Sequence, residues 1–425
     1  MGLRGLEHAM TDNQHSYLRR SRLGLLCGCP GSAAAGLLLL GALVMATGAQ
    51  TLAQGPLAEA SIAADVATVK RIGLEASGYE AATAAARRLS TQPSSAAGQV
   101  LEAMKEASPL AKNWLRMIAA DVADNPPFPR EVLLEFFADR SQDSDARHAA
   151  YQALLSSDPA LKAVLLEDAV DDPSLPVRHA AIALTLEQAA KQNEAGNKDA
   201  ATDLFRMVVA NGRNPDQLQA AAKSLGELGD KIDLADELGL IRRWWVIGPF
   251  DNTASAEFET VYLPEQVYLH EGRLPADWLK ADATVVKDGG KGQAAMSHLV
   301  VSDHSFGVVS INPALQNAKD AIAYGYVEFD VAEGVQAVAR IGCITASKVW
   351  VNGQFVMGNE VYHSGTRIDQ YVGDCQLLPG RNSVLIKICQ NAQTESWAQD
   401  WQFQFRLTDR FETPIKPQSI VQPRP

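Results

Sequence analysis

Apolar residues change their spacing at Ile241, and that change divides the chain. Up to Gly239 they recur at helical intervals in a background rich in Ala, Leu, Glu and Gln. From Trp244-Trp245-Val246-Ile247-Gly248-Pro249-Phe250 onward, short β-branched and aromatic runs alternate with turns. A chain of 425 residues is too long for one ordinary core, so the two periods are read as two domains. With 47% hydrophobic and 21% charged residues, the chain has enough apolar surface to fold and is not disordered as a whole. The expected order is α then β: a helical domain over 54–239, a β domain over 240–410 and a proline-rich, mobile tail over 411–425.

Residues 1–53 belong to neither period. Arg19, Arg20 and Arg22 form a basic cluster, and the uncharged run SAAAGLLLLGALVMA follows from Ser32 to Ala46. Thr47-Gly48-Ala49 and Thr51-Leu52-Ala53 place small residues where a signal peptidase cuts. This is the layout of a secretory signal, and it implies export to the periplasm or beyond. The alternative is an uncleaved segment that anchors the protein in a membrane. Losing residues 1–53 removes four arginines and two acids and takes the net charge from −12 to −14. So acidic a chain repels phosphate backbones, which argues against a nucleic-acid partner.

The helical half is punctuated by Asn125-Pro126-Pro127, Asp158-Pro159, Asp172-Pro173 and Asn214-Pro215, each a helix boundary because Pro biases its predecessor away from the helical region. It also repeats. Ala146-Arg147-His148-Ala149-Ala150 recurs 31 residues later as Val177-Arg178-His179-Ala180-Ala181, with a weaker echo at Leu218-Gln219-Ala220-Ala221-Ala222. Over about residues 125–230 this pattern resembles HEAT repeats of the PBS-lyase type. The resemblance implies an α-solenoid in which an acid and an Arg tie neighbouring turns. Asp143 or Asp145 with Arg147, and Ser174 with Arg178, occupy those places. Solenoids present extended surfaces, so the helical half is expected to bind a protein partner.

In the β half, strands are expected at His298–Val301, Ala323–Phe329, Ala337–Ile341, Lys348–Val351, Gln354–Met357, Gln370–Val372, Ser383–Cys389 and Trp401–Leu407. So many short strands point to an antiparallel β-sandwich or barrel. Within KVWVNGQFV, Asn352-Gly353 suits a two-residue type I′ turn. The turn sets Val351 opposite Gln354, Trp350 opposite Phe355 and Val349 opposite Val356. If the valines face the core, Trp350 and Phe355 lie on the other face. They are then either a sugar-stacking platform or covered by the segment after Trp245. Trp397 and Trp401 are a second candidate platform.

The Val-x-Val-Asn-Gly hairpin is followed by Leu377 or Leu378, Gly380 and Asn382, and then by Val384, Ile386 and Ile388. Together these resemble the jelly roll at the front of galactosidase-type glycoside hydrolases, within the galactose-binding-domain-like superfamily. The opening Trp245-x-Ile247-Gly248-Pro249-Phe250, with Phe258, Tyr262, Pro264 and Glu265, resembles β-sandwich regions of exported planctomycete-type bacterial proteins. The resemblance covers about 241–410. It implies a glycan-binding fold and carries no catalytic residues, because the hydrolases keep their acid pair in a separate barrel.

No catalytic or metal motif is found. Asp288-Gly289-Gly290-Lys291-Gly292 lacks the Ser or Thr of a phosphate loop and reads as a turn. His148 and His179 share a repeat position without matching carboxylates, so no metal is assigned. Asp303-His304-Ser305, and His363-Ser364 with Asp369, hold triad residue types that adjacency alone does not assemble. Cys343, Cys375 and Cys389 leave room for one disulfide in an oxidising compartment. The expectation is therefore a non-catalytic, cofactor-free interaction protein that binds a protein through its helices and a glycan through its sandwich. The alternative is an enzyme or accessory subunit acting on extracellular polysaccharide, for which two carboxylates would have to converge in a cleft.

Overall fold

The computed structural model describes residues 56–417 and 419–420, and the expected signal segment lies outside them. The chain is α then β. Eleven helices come first: α1 (Pro56–Lys70), α2 (Tyr79–Leu89), α3 (Ala97–Glu102), α4 (Pro109–Ala123), α5 (Arg130–Ala138), α6 (Ser144–Ser157), α7 (Lys162–Leu166), α8 (Leu175–Glu194), α9 (Lys198–Asn211), α10 (Pro215–Glu227) and α11 (Leu234–Glu237). Among the described residues, none is long and apolar enough to cross a membrane.

The expected boundaries fall where caps and prolines place them. Ser108, Asp143 and Asn214 accept backbone N–H groups at the starts of α4, α6 and α10, a device worth about 1 kcal/mol each. Pro109 and Pro215 occupy first-turn positions, where the missing N–H is no loss. Small buried residues such as Ala119, Ala146, Ala150 and Ala181 let the helices approach around Leu115, Ile118, Leu133 and Leu154.

The expected acid–Arg ties differ from those observed. Asp143 caps its own helix and pairs with Lys112 at 2.6 Å. Arg147 instead reaches forward to Asp172, 2.8 Å between Nη2 and Oδ2, and donates to the Phe137 carbonyl. Both partners are buried, so the guanidinium takes a carboxylate that is equally shielded. Ser174 does not hold Arg178. Its hydroxyl donates to Ser144 O, and Arg178 donates to the carbonyls of Asp171 and Asp172.

The strands are β1 (Arg243–Asp251), β2 (Ala283–Val286), β3 (Ala295–Val301), β4 (Val309–Ser310), β5 (Ala321–Val331), β6 (Val335–Cys343), β7 (Ala346–Val351), β8 (Gln354–Asn359), β9 (Tyr371–Leu377), β10 (Gly380–Gln390), β11 (Gln402–Thr408) and β12 (Ser419–Ile420). The larger antiparallel sheet runs β2-β3-β1-β5-β10-β7-β8, with β12 also on β5, and the smaller runs β4-β11-β6-β9. Their inner faces share one core. Val246, Val327, Val349, Val351 and Ile386 come from the large sheet, and Ile341, Leu377, Phe403 and Phe405 from the small one. Trp244 lies between them, its indole N–H donating to Ile241 O at 2.7 Å and its ring edge-on to Phe403 and Phe405.

The outer face of the large sheet is covered too. After β1 the chain forms α12 (Leu263–Glu271), a helix the sequence pattern did not indicate. Phe258, Tyr268 and Leu274 of this segment bury Trp245, Tyr324, Tyr326 and Trp350 in a second core. Residues 411–417, expected to be mobile, return along β11: Ile415 N–H donates to Leu407 O at 2.9 Å. Helices and sheets meet through Leu218, Leu234, Leu238 and Leu240. Arg406, buried in β11, bonds the Leu238 carbonyl and Asp369.

Candidate functional site

The hairpin turn forms as expected, with Asn352 and Gly353 both at positive φ (51° and 78°). Trp350 pairs with Phe355 and Val351 with Gln354, but Val349 faces Met357. A bulge slips the third expected pair by one residue. The valines enter the core and Trp350 leaves it, only to be covered by the segment after β1.

The four candidate aromatics therefore separate. Trp350 is 3% exposed and Trp401 0%, so neither offers a face to a sugar. Trp350 is under the α12 segment, and Trp401 fills the core between the sheets. Phe355 is 61% exposed and Trp397 58%. Phe355 stands on β8 against the edge of Trp350. Trp397 stands on the β10–β11 connection, facing the β8–β9 connection.

Trp397 is held on a fixed loop. Lys319 Nζ donates to Ala398 O at 2.8 Å, Asn312 Nδ2 to Gln399 O at 2.9 Å, and Gln390 Nε2 to Asp400 O at 3.3 Å. Ala398 and Trp401 are buried on either side of these anchors. The loop is pinned by its backbone, and its large indole is left outward. Burial lowers the pKa of Lys319, and the nearby Asp400 and Glu395 oppose that shift.

The indole meets the imidazole of His363 edge-on, centroids 5.5 Å apart. His363 Nε2 lies 2.9 Å from Asn391 Oδ1. Asn391 Nδ2 donates to Gln393 Oε1, which orients the amide with its oxygen toward the histidine. His363 then donates from Nε2. Its Nδ1 has no partner, nor do Thr366 Oγ1 of the same connection and Asn359 Nδ2 at the end of β8. His363 also sits at φ 55°, a strained conformation for a residue with a side chain. The end of β8 and the connection after it thus hold three buried polar atoms without partners, one of them on the imidazole beside the exposed indole.

The other motif residues are accounted for locally. Asp288 Oδ1 accepts from Gly290 and Gly292 N–H, which makes DGGKG a closed turn. His304 Nδ1 accepts from Phe306 N–H. Asp369 pairs with Arg340 and Arg406 and does not join His363. His148 stacks near Tyr151, and burial lowers its pKa. Among the described residues, no three His, Cys, Asp or Glu side chains are arranged to hold a metal. Cys343, Cys375 and Cys389 are buried free thiols, so the room for a disulfide is not used. Sequence reasoning missed His363 and Asn391 as partners of Trp397, because 28 residues separate them and the strand pairing alone brings them together.

No protein-family model and no curated protein matches the chain. Solved structures similar to it include the β-glucuronidase of Ruminococcus gnavus, 12% identical, covering 40% of this chain and 28% of that one with a TM-score of 0.19. The same enzyme in complex with D-glucaro 1,5-lactone matches with the same values. A GH31 α-xylosidase from Xanthomonas citri is 13% identical, covering 27% and 14% with a TM-score of 0.17. The chain thus spans about a quarter of the glucuronidase and a seventh of the xylosidase. These neighbours are glycoside hydrolases, where the sequence leads to the expectation of a non-catalytic interaction protein.

Proposed function

We propose that this chain acts on extracellular polysaccharide, as an enzyme or as the accessory subunit of one, and meets carbohydrate at the Trp397 loop. The observation that supports this reading is the outward indole of Trp397, exposed on an anchored loop and edge-on to His363. A pyranose has an apolar face that stacks on an exposed aromatic ring, and this loop offers one. We read the two sheets as a jelly roll of the galactose-binding type and the helices as HEAT-like repeats in a solenoid. In the accessory case those repeats would contact the partner enzyme.

The test is a panel of insoluble and soluble polysaccharides, mixed with the purified full chain. Pull-down is read beside release of reducing ends. Binding with release assigns the enzyme, and binding without release assigns the accessory subunit. Neither binding nor release on any polysaccharide would overturn the reading.

A further inference from the structure

A second cleft, of about 400 Å³, lies where α8 and α10 face the small sheet. Its sandwich wall is internally neutralised. Arg340 pairs with Asp369 and with Glu412, each at 3.2 Å, and Asp369 also pairs with Arg406.

The helical wall makes no such close pairs. Arg178 donates to the carbonyls of Asp172 and Asp171 at 2.7 and 2.8 Å, and Arg213 donates to Gly212 O at 2.8 Å. Neither forms an ion pair with a carboxylate among the described residues. Arg213 Nε is buried without a partner. Burial lowers the pKa of Arg213, the neighbouring Arg178 lowers it further, and Asp409 and Glu412 oppose the shift.

Gln217 stands beside it and is 8% exposed. Its Nε2 donates to His179 O at 2.9 Å, which settles the orientation of the amide. Gln217 lines the cleft, and its Oε1 is a buried acceptor without a donor. The wall thus combines two guanidinium groups with no carboxylate in ion-pair contact, one unmet donor and one unmet acceptor. A simple anion answers the charge and leaves Gln217 unmet. A neutral sugar answers Gln217 and leaves the charge. Each buried polar atom left unpaired costs about 1–3 kcal/mol, so the favoured ligand answers both.

We propose that this cleft binds a small hydroxycarboxylate, its carboxylate on Arg213 with Arg178 nearby and a hydroxyl donating to Gln217 Oε1. Acidic sugars and hydroxy acids share that chemistry. Guanidinium is suited to the first contact because its planar fork matches a carboxylate.

Isothermal titration of the full chain with D-galacturonate, L-malate, acetate and D-galactose tests the assignment. At least one of galacturonate and malate is expected to bind about tenfold or more tighter than acetate and galactose. Which of the two binds identifies the source. Arg213→Met is expected to weaken that binding by about tenfold or more, and Gln217→Met to bring the hydroxy acid down to the level of acetate. Gln217→Glu keeps an acceptor but repels the carboxylate, so it serves if Arg213→Met does not fold. Trp397→Ala is expected to leave this binding unchanged, which separates the cleft from the polysaccharide site. No binding by any of the four probes, equal binding of acetate and the hydroxy acids, or full retention in a folded Arg213→Met or Gln217→Glu would overturn the proposal.

Discussion

Asn352 Nδ2 donates to Asn382 Oδ1 at 2.8 Å, so the turn of the β7–β8 hairpin is tied to the turn that leads into β10. Each asparagine does a second task. Asn352 Oδ1 accepts from Ser383 N–H, while Asn382 accepts from Leu378 N–H and donates to Leu378 O and Gly380 O. Asn382 is buried, so its bonds are made away from water.

Asn382→Ala should therefore strand the Leu378 N–H and the Asn352 amide and cost about 2–3 kcal/mol. Asn352→Gly keeps the positive φ and loses only the side-chain bonds, so it should cost less. Urea unfolding of both variants checks the order, and equal losses would show that the bonds of Asn382 to Leu378 and Gly380 contribute little.

Lys387 is a charge enclosed behind the large sheet. Its Nζ is 3.5 Å from Glu265 Oε2 and donates to the carbonyls of Phe258 and Thr260. Burial lowers its pKa, and the charge of Glu265 opposes that shift. Lys387→Met leaves Glu265 buried without its cation and should cost about 3–5 kcal/mol. Adding Glu265→Leu should recover much of that loss, because a buried pair replaced by apolar groups is often neutral. A double variant as unstable as the single one would contradict the pairing.

Trp350 and Phe355 are neighbours across the hairpin with opposite exposures. Trp350→Ala should cost about 3–5 kcal/mol through the cavity it leaves, and Phe355→Ala should stay within about 0.5 kcal/mol. Thermal unfolding of the two variants distinguishes them.

Alkaline pH should destabilise the fold. Burial raises Cys343 and Cys375 to about 11 and Cys389 to about 12, against 9.0 in an exposed thiol. Burial likewise raises Tyr262 and Tyr268 from 10.0 to about 12. A raised acid pKa means that the folded state keeps its proton longer than the unfolded one. Stability from these groups is complete below 9 and falls as pH rises from 9 toward 12. Each group contributes a loss of up to about 1.4 kcal/mol for every pH unit crossed between its unfolded and folded pKa. Denaturant midpoints measured across that window should decline, and a flat profile would contradict the burial of the thiols.

Much of this architecture is legible in the sequence because it rests on period. The change at Ile241, the eight expected strands and the Asn-Gly turn all follow from local spacing. What escapes is long-range or masked. In α12 the buried positions are Pro264, Glu265 and Tyr268, so a proline and a charge stand where an apolar stripe would signal a helix. The strands β2 and β4 are short and lie at sheet edges. The hairpin bulge has no marker in the turn residues. Trp397 and Trp401 are four residues apart, and only the anchoring of the loop by Lys319, Asn312 and Gln390 decides which one faces outward. His363 gains its role from Asn391, which the strand order brings across from another connection.

The polysaccharide site is tested most directly by the affinity of the wild-type chain and of Trp397→Ala for the same oligosaccharide, chosen from a glycan array. An indole face covered by a sugar contributes about 1.5–3 kcal/mol, so the variant should bind about 10- to 100-fold more weakly, with its melting temperature unchanged. Equal affinity in the two proteins, or no glycan retained by the wild type, would contradict the assignment of carbohydrate to the Trp397 loop.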